Sequence, residues 1–119
     1  MRNRNLGRLY RDGEIVINKG DEGTCLFVIQ EGKVEVYDEK EGTEVKIADL
    51  GAGEFFGEMG LFEKDVRSCT VRALGNAKIL TIDKKNFYKT IQKDPTLAYR
   101  LLQKMSFRLR ELNKKVMQS

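Results

Sequence analysis

The hydrophobic positions of this chain change period after residue 83. Before it, apolar and polar residues alternate in short runs between glycines; beyond it, apolar residues recur every three or four positions. Period two places alternate side chains on one face of a strand, whereas three- and four-residue steps line one face of a helix. EIVIN, Glu14 to Asn18, is a short β-branched run, and KGDEG after it, with Gly20 and Gly23, reads as a turn. TCLFVIQ reads as a second strand. A turn at Glu31-Gly32 leads into KVEVY, where Val34 and Val36 share an inward face. DEKEG reads as a hairpin turn into TEVKIADL, with Val45 and Ile47 on one face, and GAGE as a further turn. CTVRAL and KILTID read as two strands around a turn at Gly75-Asn76. Many short strands punctuated by glycine predict a β-sandwich or barrel.

KKNFYKTIQK then reads as a helix with Asp83 as N-cap and Phe87 and Ile91 at i and i+4. Asp94-Pro95 ends it, and Pro95 or Thr96 begins a final helix of about six turns. Its apolar positions are Ala98, Leu102, Met105, Leu109, Leu112 and Val116, at steps of 4, 3, 4, 3 and 4. That is the heptad spacing of a coiled-coil seam. Two readings stand: the seam pairs with another helix, or it packs on its own domain. Leu101 and Phe107 lie off the seam and could serve the second purpose. The expected organisation is one domain over 1–119: an N-terminal segment 1–9, a β-barrel 10–83 and helices 84–119.

The 119 residues fit one domain, and 40% apolar with 34% charged residues is not a disordered composition. No apolar run approaches the roughly 18 residues of a membrane span. The basic N-terminus MRNRNLGRLYRDG lacks the apolar centre of a secretory signal, so a cytoplasmic location is expected. Cys25 and Cys69 are then expected as two reduced thiols. The chain has no histidine, which removes the commonest acid–base group and transition-metal ligand. Zinc sites, serine–histidine hydrolases and His-ligated oxygenases are poor readings; no enzyme, metal or cofactor is expected. The net charge of +4 permits an anionic partner without requiring one. The basic run RLRELNKKV, with Arg108, Arg110, Lys114 and Lys115, reads as a solvated helix face rather than a nucleic-acid arm.

The candidate chemistry lies in FFGEMGLFEKDVRSCTV, Phe55 to Val71. Glu58 stands between Gly57 and Gly60, and Arg67 follows nine positions later. Glycines let backbone N–H groups converge on an anion, and EMGLFEK can form one or two helical turns whose free N–H groups do the same. The arginine fork donates two parallel hydrogen bonds to a phosphate. Glu58 cannot attract a phosphate but can accept from a hydroxyl beside one. A ligand with both groups adjacent is a ribose phosphate. A structural Glu58–Arg67 ion pair closing the loop is the alternative.

FFGEMGLFEKDVRSCTVRA resembles the phosphate-binding cassette of cyclic nucleotide-binding domains, which occur in regulatory subunits of cyclic-nucleotide-dependent kinases, in gated channels and in bacterial regulators. The resemblance continues upstream through Gly13, Gly20, Asp21, Gly23, Phe27, Gly32 and Val34, and downstream through ILTIDKKNFYKTIQKDP, covering about residues 10 to 116. It implies a mainly β fold with flanking helices: a double-stranded β-helix (jelly-roll) barrel, with a cassette at 55–71, followed by a long C-terminal helix. It implies that Glu58 accepts from the ribose 2′-hydroxyl and Arg67 clamps the cyclic phosphate. Backbone N–H groups around Gly57, Gly60 and Cys69 would complete the cradle, beside Phe56, Met59 and Leu61. Leu61 and Val71 would pack the cassette into the barrel. Ser68 would donate to the phosphate or a guanine, and the base would rest on Val36, Ile47 and Leu50. In the bacterial regulators, hydroxyls on the long helix contact adenine; Leu112 and Asn113 stand there, and only the Asn113 amide can hydrogen-bond.

The function implied is a sensor for cAMP, with cGMP the alternative, that repositions the C-terminal helix. A homodimer through Leu102, Met105, Leu109, Leu112 and Val116 is the expected partner arrangement, with no membrane. No DNA-binding helix-turn-helix is expected within these 119 residues. The competing function is a homodimeric interaction module of the same fold that uses no nucleotide.

Overall fold

The computed structural model describes residues 7–61 and 65–118. The chain forms two compact units, Met1–Lys84 and Lys85–Ser119. The first is built from β1 (Arg8–Tyr10), β2 (Ile15–Ile17), β3 (Glu22–Gly23), β4 (Cys25–Lys40), β5 (Thr43–Gly51), β6 (Phe55–Phe56), β7 (Asp65–Val66) and β8 (Thr70–Asp83). Six strands form one antiparallel sheet in the order β1-β8-β4-β5, with β2 also on β8 and β6 on β4; β3 and β7 form a separate ribbon. The mainly β architecture with C-terminal helices is therefore present. Among the described residues the sheet path stays open, rather than closing as the expected barrel would.

Two predicted turns are bulges instead. β4 runs unbroken through Glu31-Gly32, and β8 runs unbroken through Gly75-Asn76. They pair from Cys25↔Asp83 to Tyr37↔Thr70, with register shifts on both sides of Glu31. Gly32 has φ 85° there, and a Cβ would fall on the Asn76 carbonyl of the facing strand. A positive-φ glycine serves a reversal or a bulge equally well; the facing strand decides which. The true reversal is Glu41-Gly42, where both residues have positive φ (52° and 80°), as a tight hairpin requires.

That hairpin sets β5 against β4 from Lys40↔Thr43 to Lys33↔Gly51. A register shift between Val36 and Tyr37 leaves Ile47 without a cross-strand partner. The shift breaks the alternation on which the sequence reading relied. Ile47 is 56% exposed and Val45 is exposed too, so neither forms the expected inward wall. Val36 and Leu50, paired with Ala48 and Val34, pack on the core.

That core joins Tyr10, Ile17, Ile29, Val34, Phe56 and Ile79, among others, from β1, β2, β4, β6 and β8. Each such large side chain contributes about 1.5–3 kcal/mol over its exposed state. Charged pairs tie strand surfaces together. Arg72 bonds Glu35 (3.1 Å) and Glu44 (3.0 Å) and lies 4.1 Å over the Tyr37 ring, and these carboxylates raise its pKa. Lys19 Nζ lies 2.6 Å from Asp38 Oδ1.

The second unit holds most of α1 (Lys84–Lys93) and all of α2 (Pro95–Gln118). Asp83 directly precedes α1, the expected cap position. Asp94 caps α2 by accepting from the Thr96 N–H at 3.1 Å. On the predicted seam Leu102 is 66% exposed and Met105 half-buried; the side chains of Leu109, Leu112 and Val116 lie outside the described residues. Both cysteines are free thiols. Among the described residues no helix is long and apolar enough to cross a membrane.

Candidate functional site

β6 carries Phe55 and Phe56 into the core, and Phe56 stacks on Phe27 at 5.1 Å between ring centroids. Gly57, at φ 77°, turns the chain out of the strand into a 3-10 turn, Glu58–Leu61. That turn closes through the Gly60 N–H, which donates to the Gly57 carbonyl at 3.2 Å. After residue 64, β7 pairs with β3 through Glu22↔Val66 and Gly23↔Asp65. Arg67 follows directly. Its N–H donates to the Asp21 carbonyl and its own carbonyl accepts from Gly20, both at 2.8 Å.

The side chain of Arg67 turns back toward the same loop. Nη1 donates to the Gly57 carbonyl at 3.1 Å, and Nη2 to the Cys25 carbonyl at 2.9 Å. The guanidinium also lies 5.9 Å from the centre of the Phe27 ring. Among the described residues, Glu58 (2% exposed) and Arg67 (7%) are the buried charged side chains. Withdrawing a charge from water costs several kcal/mol even after relaxation. A fold keeps such groups where they are paired, hydrogen-bonded or used.

Arg67 lines a cleft of about 260 Å³ with Val16, Ile17, Phe27, Asp21 and Glu22. Asp21 and Glu22 are exposed, so solvated carboxylates surround a sheltered guanidinium. The volume lies below the roughly 300–1,000 Å³ of pockets that enclose drug-sized ligands.

The family model for the cyclic nucleotide-binding domain matches residues 7–94. The chain belongs to that family. It is 36% identical over 114 residues to the cAMP-activated global transcriptional regulator Vfr of Pseudomonas aeruginosa, covering 92% of this chain and 53% of Vfr. It is 33% identical over 105 residues to the cyclic AMP receptor protein of Thermus thermophilus, covering 87% of this chain and 49% of that protein. The crystal structure of Thermus thermophilus catabolite activator protein superposes with a TM-score of 0.79 at 31% identity, over 93% of this chain and 53% of that one. The chain thus spans about half the length of the curated relatives it matches.

Within this cyclic nucleotide-binding domain, Arg67 meets Gly57 through the Gly57 carbonyl, while Gly57, Glu58 and Gly60 are not among the described lining of the cleft. Phe56 lies in the core, and the Met59 and Leu61 side chains lie outside the described residues. Ser68 is exposed and Cys69 half-exposed, directly after Arg67. The Gly60 N–H, expected to face an anion, is spent inside the 3-10 turn. Val36, Ile47 and Leu50 are not among the described lining of the cleft. Asn113 is exposed on α2. The site reading missed Val16 to Cys25, the segment that wraps Arg67. Its signal lies in KGDEG, whose two glycines read as a plain turn in the sequence.

Proposed function

We propose that this chain binds a cyclic nucleotide, cAMP in the first place, with Arg67 on the cyclic phosphate and Glu58 accepting from the ribose 2′-hydroxyl. One observation carries the reading: a carboxylate and a guanidinium are both buried within one glycine-turned segment of a cyclic nucleotide-binding domain. An arginine fork suits phosphate oxygens, and a carboxylate suits a hydroxyl beside them. Relatives whose names carry cAMP support that nucleotide. The chemistry is recognition without turnover. Nucleotide repositions the C-terminal helix to the extent that it binds one arrangement better than another. Titration calorimetry on the purified chain tests the binding: heat with cAMP is expected, and no heat with either cAMP or cGMP at high micromolar concentration refutes it.

The exposed seam residue Leu102 favours a second reading for α2. The seam pairs two copies of the chain, with or without nucleotide. Sedimentation equilibrium in both states separates a constitutive dimer from a ligand-controlled one.

A further inference from the structure

Among the described residues, seven glycines adopt positive φ, and Gly23 in β3 is not one of them. Its backbone does not call for glycine. Its surroundings do. A Cβ built on Gly23 falls on the guanidinium of Arg67, against Nε, Nη2 and Cζ. Its carbonyl meets the cassette as well: a Cβ built on Gly60 would sit 2.9 Å from the Gly23 oxygen. Gly23 is also paired with Asp65 in the β3–β7 ribbon, two residues before Arg67.

We infer that Gly23 is a positioning residue for Arg67: its bare Cα is the surface against which the guanidinium rests while Nη1 and Nη2 reach the Gly57 and Cys25 carbonyls together. The consequence for ligand binding rests on the proposed role of Arg67 at a cyclic phosphate. A methyl on Gly23 removes that resting place. The group it meets is the far end of a flexible side chain, not backbone, so the guanidinium moves first and the ribbon stays paired. The fold therefore survives a change that misaims the charge.

Gly23→Ala, Arg67→Ala and the double variant, made in the full chain, test this against cAMP. Gly23→Ala is expected to fold, to shift the Arg67 Nε–Hε resonance, assigned by its loss in Arg67→Lys, and to weaken cAMP binding roughly 10- to 100-fold, the scale of a misplaced charge-assisted hydrogen bond. In the Arg67→Ala background the same methyl enters vacated space, so it lowers neither affinity nor Tm. This non-additivity is what a role exerted through Arg67 requires. An unchanged resonance with unchanged affinity overturns the inference, as do additive losses. If the wild type binds neither cAMP nor cGMP but Gly23→Ala still moves the Arg67 signal, the nucleotide reading fails and the positioning role stands. If Gly23→Ala alone does not fold, a folded double variant upholds the clash with Arg67, and an unfolded one overturns it.

Discussion

Replacing Arg67 with alanine tests stability and binding in one protein. Two hydrogen bonds from the guanidinium, to the Gly57 and Cys25 carbonyls, disappear. At roughly 1.5–3 kcal/mol for each bond to a charged group, the gross loss is about 3–6 kcal/mol. Two effects offset part of it. Water entering the cleft re-solvates the carbonyls, and the variant no longer carries a charge withdrawn from solvent. The net destabilisation is about 2–4 kcal/mol, set against a margin of about 6–18 kcal/mol for a chain of this length. The variant therefore folds, and urea denaturation followed by circular dichroism reads the loss as a lower midpoint at unchanged slope. Calorimetry on the same sample reads a loss of cAMP affinity of about 2–4 kcal/mol. Arg67→Lys sharpens the test. It keeps the charge but has a single ammonium on a flexible stem, not a fork that spans two carbonyls. An unchanged midpoint in Arg67→Ala, or full recovery of stability and affinity in Arg67→Lys, refutes the reasoning.

Glu58→Gln is expected to remove most of the wild type's preference for cAMP over 2′-deoxy-cAMP, about 1–2 kcal/mol in a competition assay; equal wild-type affinity for the two analogues contradicts the ribose role. Gly32→Ala combines about 1–2 kcal/mol of left-handed backbone cost with overlap on the Asn76 carbonyl, whereas Gly75→Ala meets open space, so urea midpoints should fall much further for the first. The Lys19 ammonium holds the Asp38 carboxyl below the usual carboxylate range. The stability it contributes is full above about pH 4 and fades as pH falls through the lowered value. Lys19→Met should therefore weaken the protein at neutral pH and converge with wild type in acid, and parallel urea midpoints across pH speak against the pair. Leu102→Glu is expected to turn a dimer into a monomer by sedimentation if α2 pairs as proposed.

Much of the β unit was readable because its local signals agreed with its pairing. EIVIN and TEVKIADL became β2 and β5, and the Asp94-Pro95 break fell between α1 and α2. Gly32 and Gly75 misled for a physical reason. Each adopts positive φ, and only the strand opposite decides between a turn and a bulge. Ile47 was misplaced because one register shift cancels an alternation that is regular in the sequence. Glu58 and Arg67 stood out as charges within an apolar, glycine-flanked run. Their setting did not. Arg67 donates to the Gly57 and Cys25 carbonyls and crowds the bare Cα of Gly23, and such groups carry no residue-type signature.

β8 is the last strand of the sheet and the partner of β1, β2 and β4 alike. Its contacts join residues far apart in the chain, such as Cys25 with Asp83. Closing such long loops is entropically slow, and folding rates fall accordingly. The β4–β5 hairpin, joined by Glu41-Gly42, can form from local contacts alone. A growing chain on the ribosome can therefore make this hairpin early, but β1 and β2 must wait for β8 to emerge, and the first half of β4 has only the two-residue β6 to pair with before then. Until then Ile17, Leu26 and Ile29 lack their partners on β8. That waiting period, rather than the finished fold, is when this chain is most exposed to aggregation.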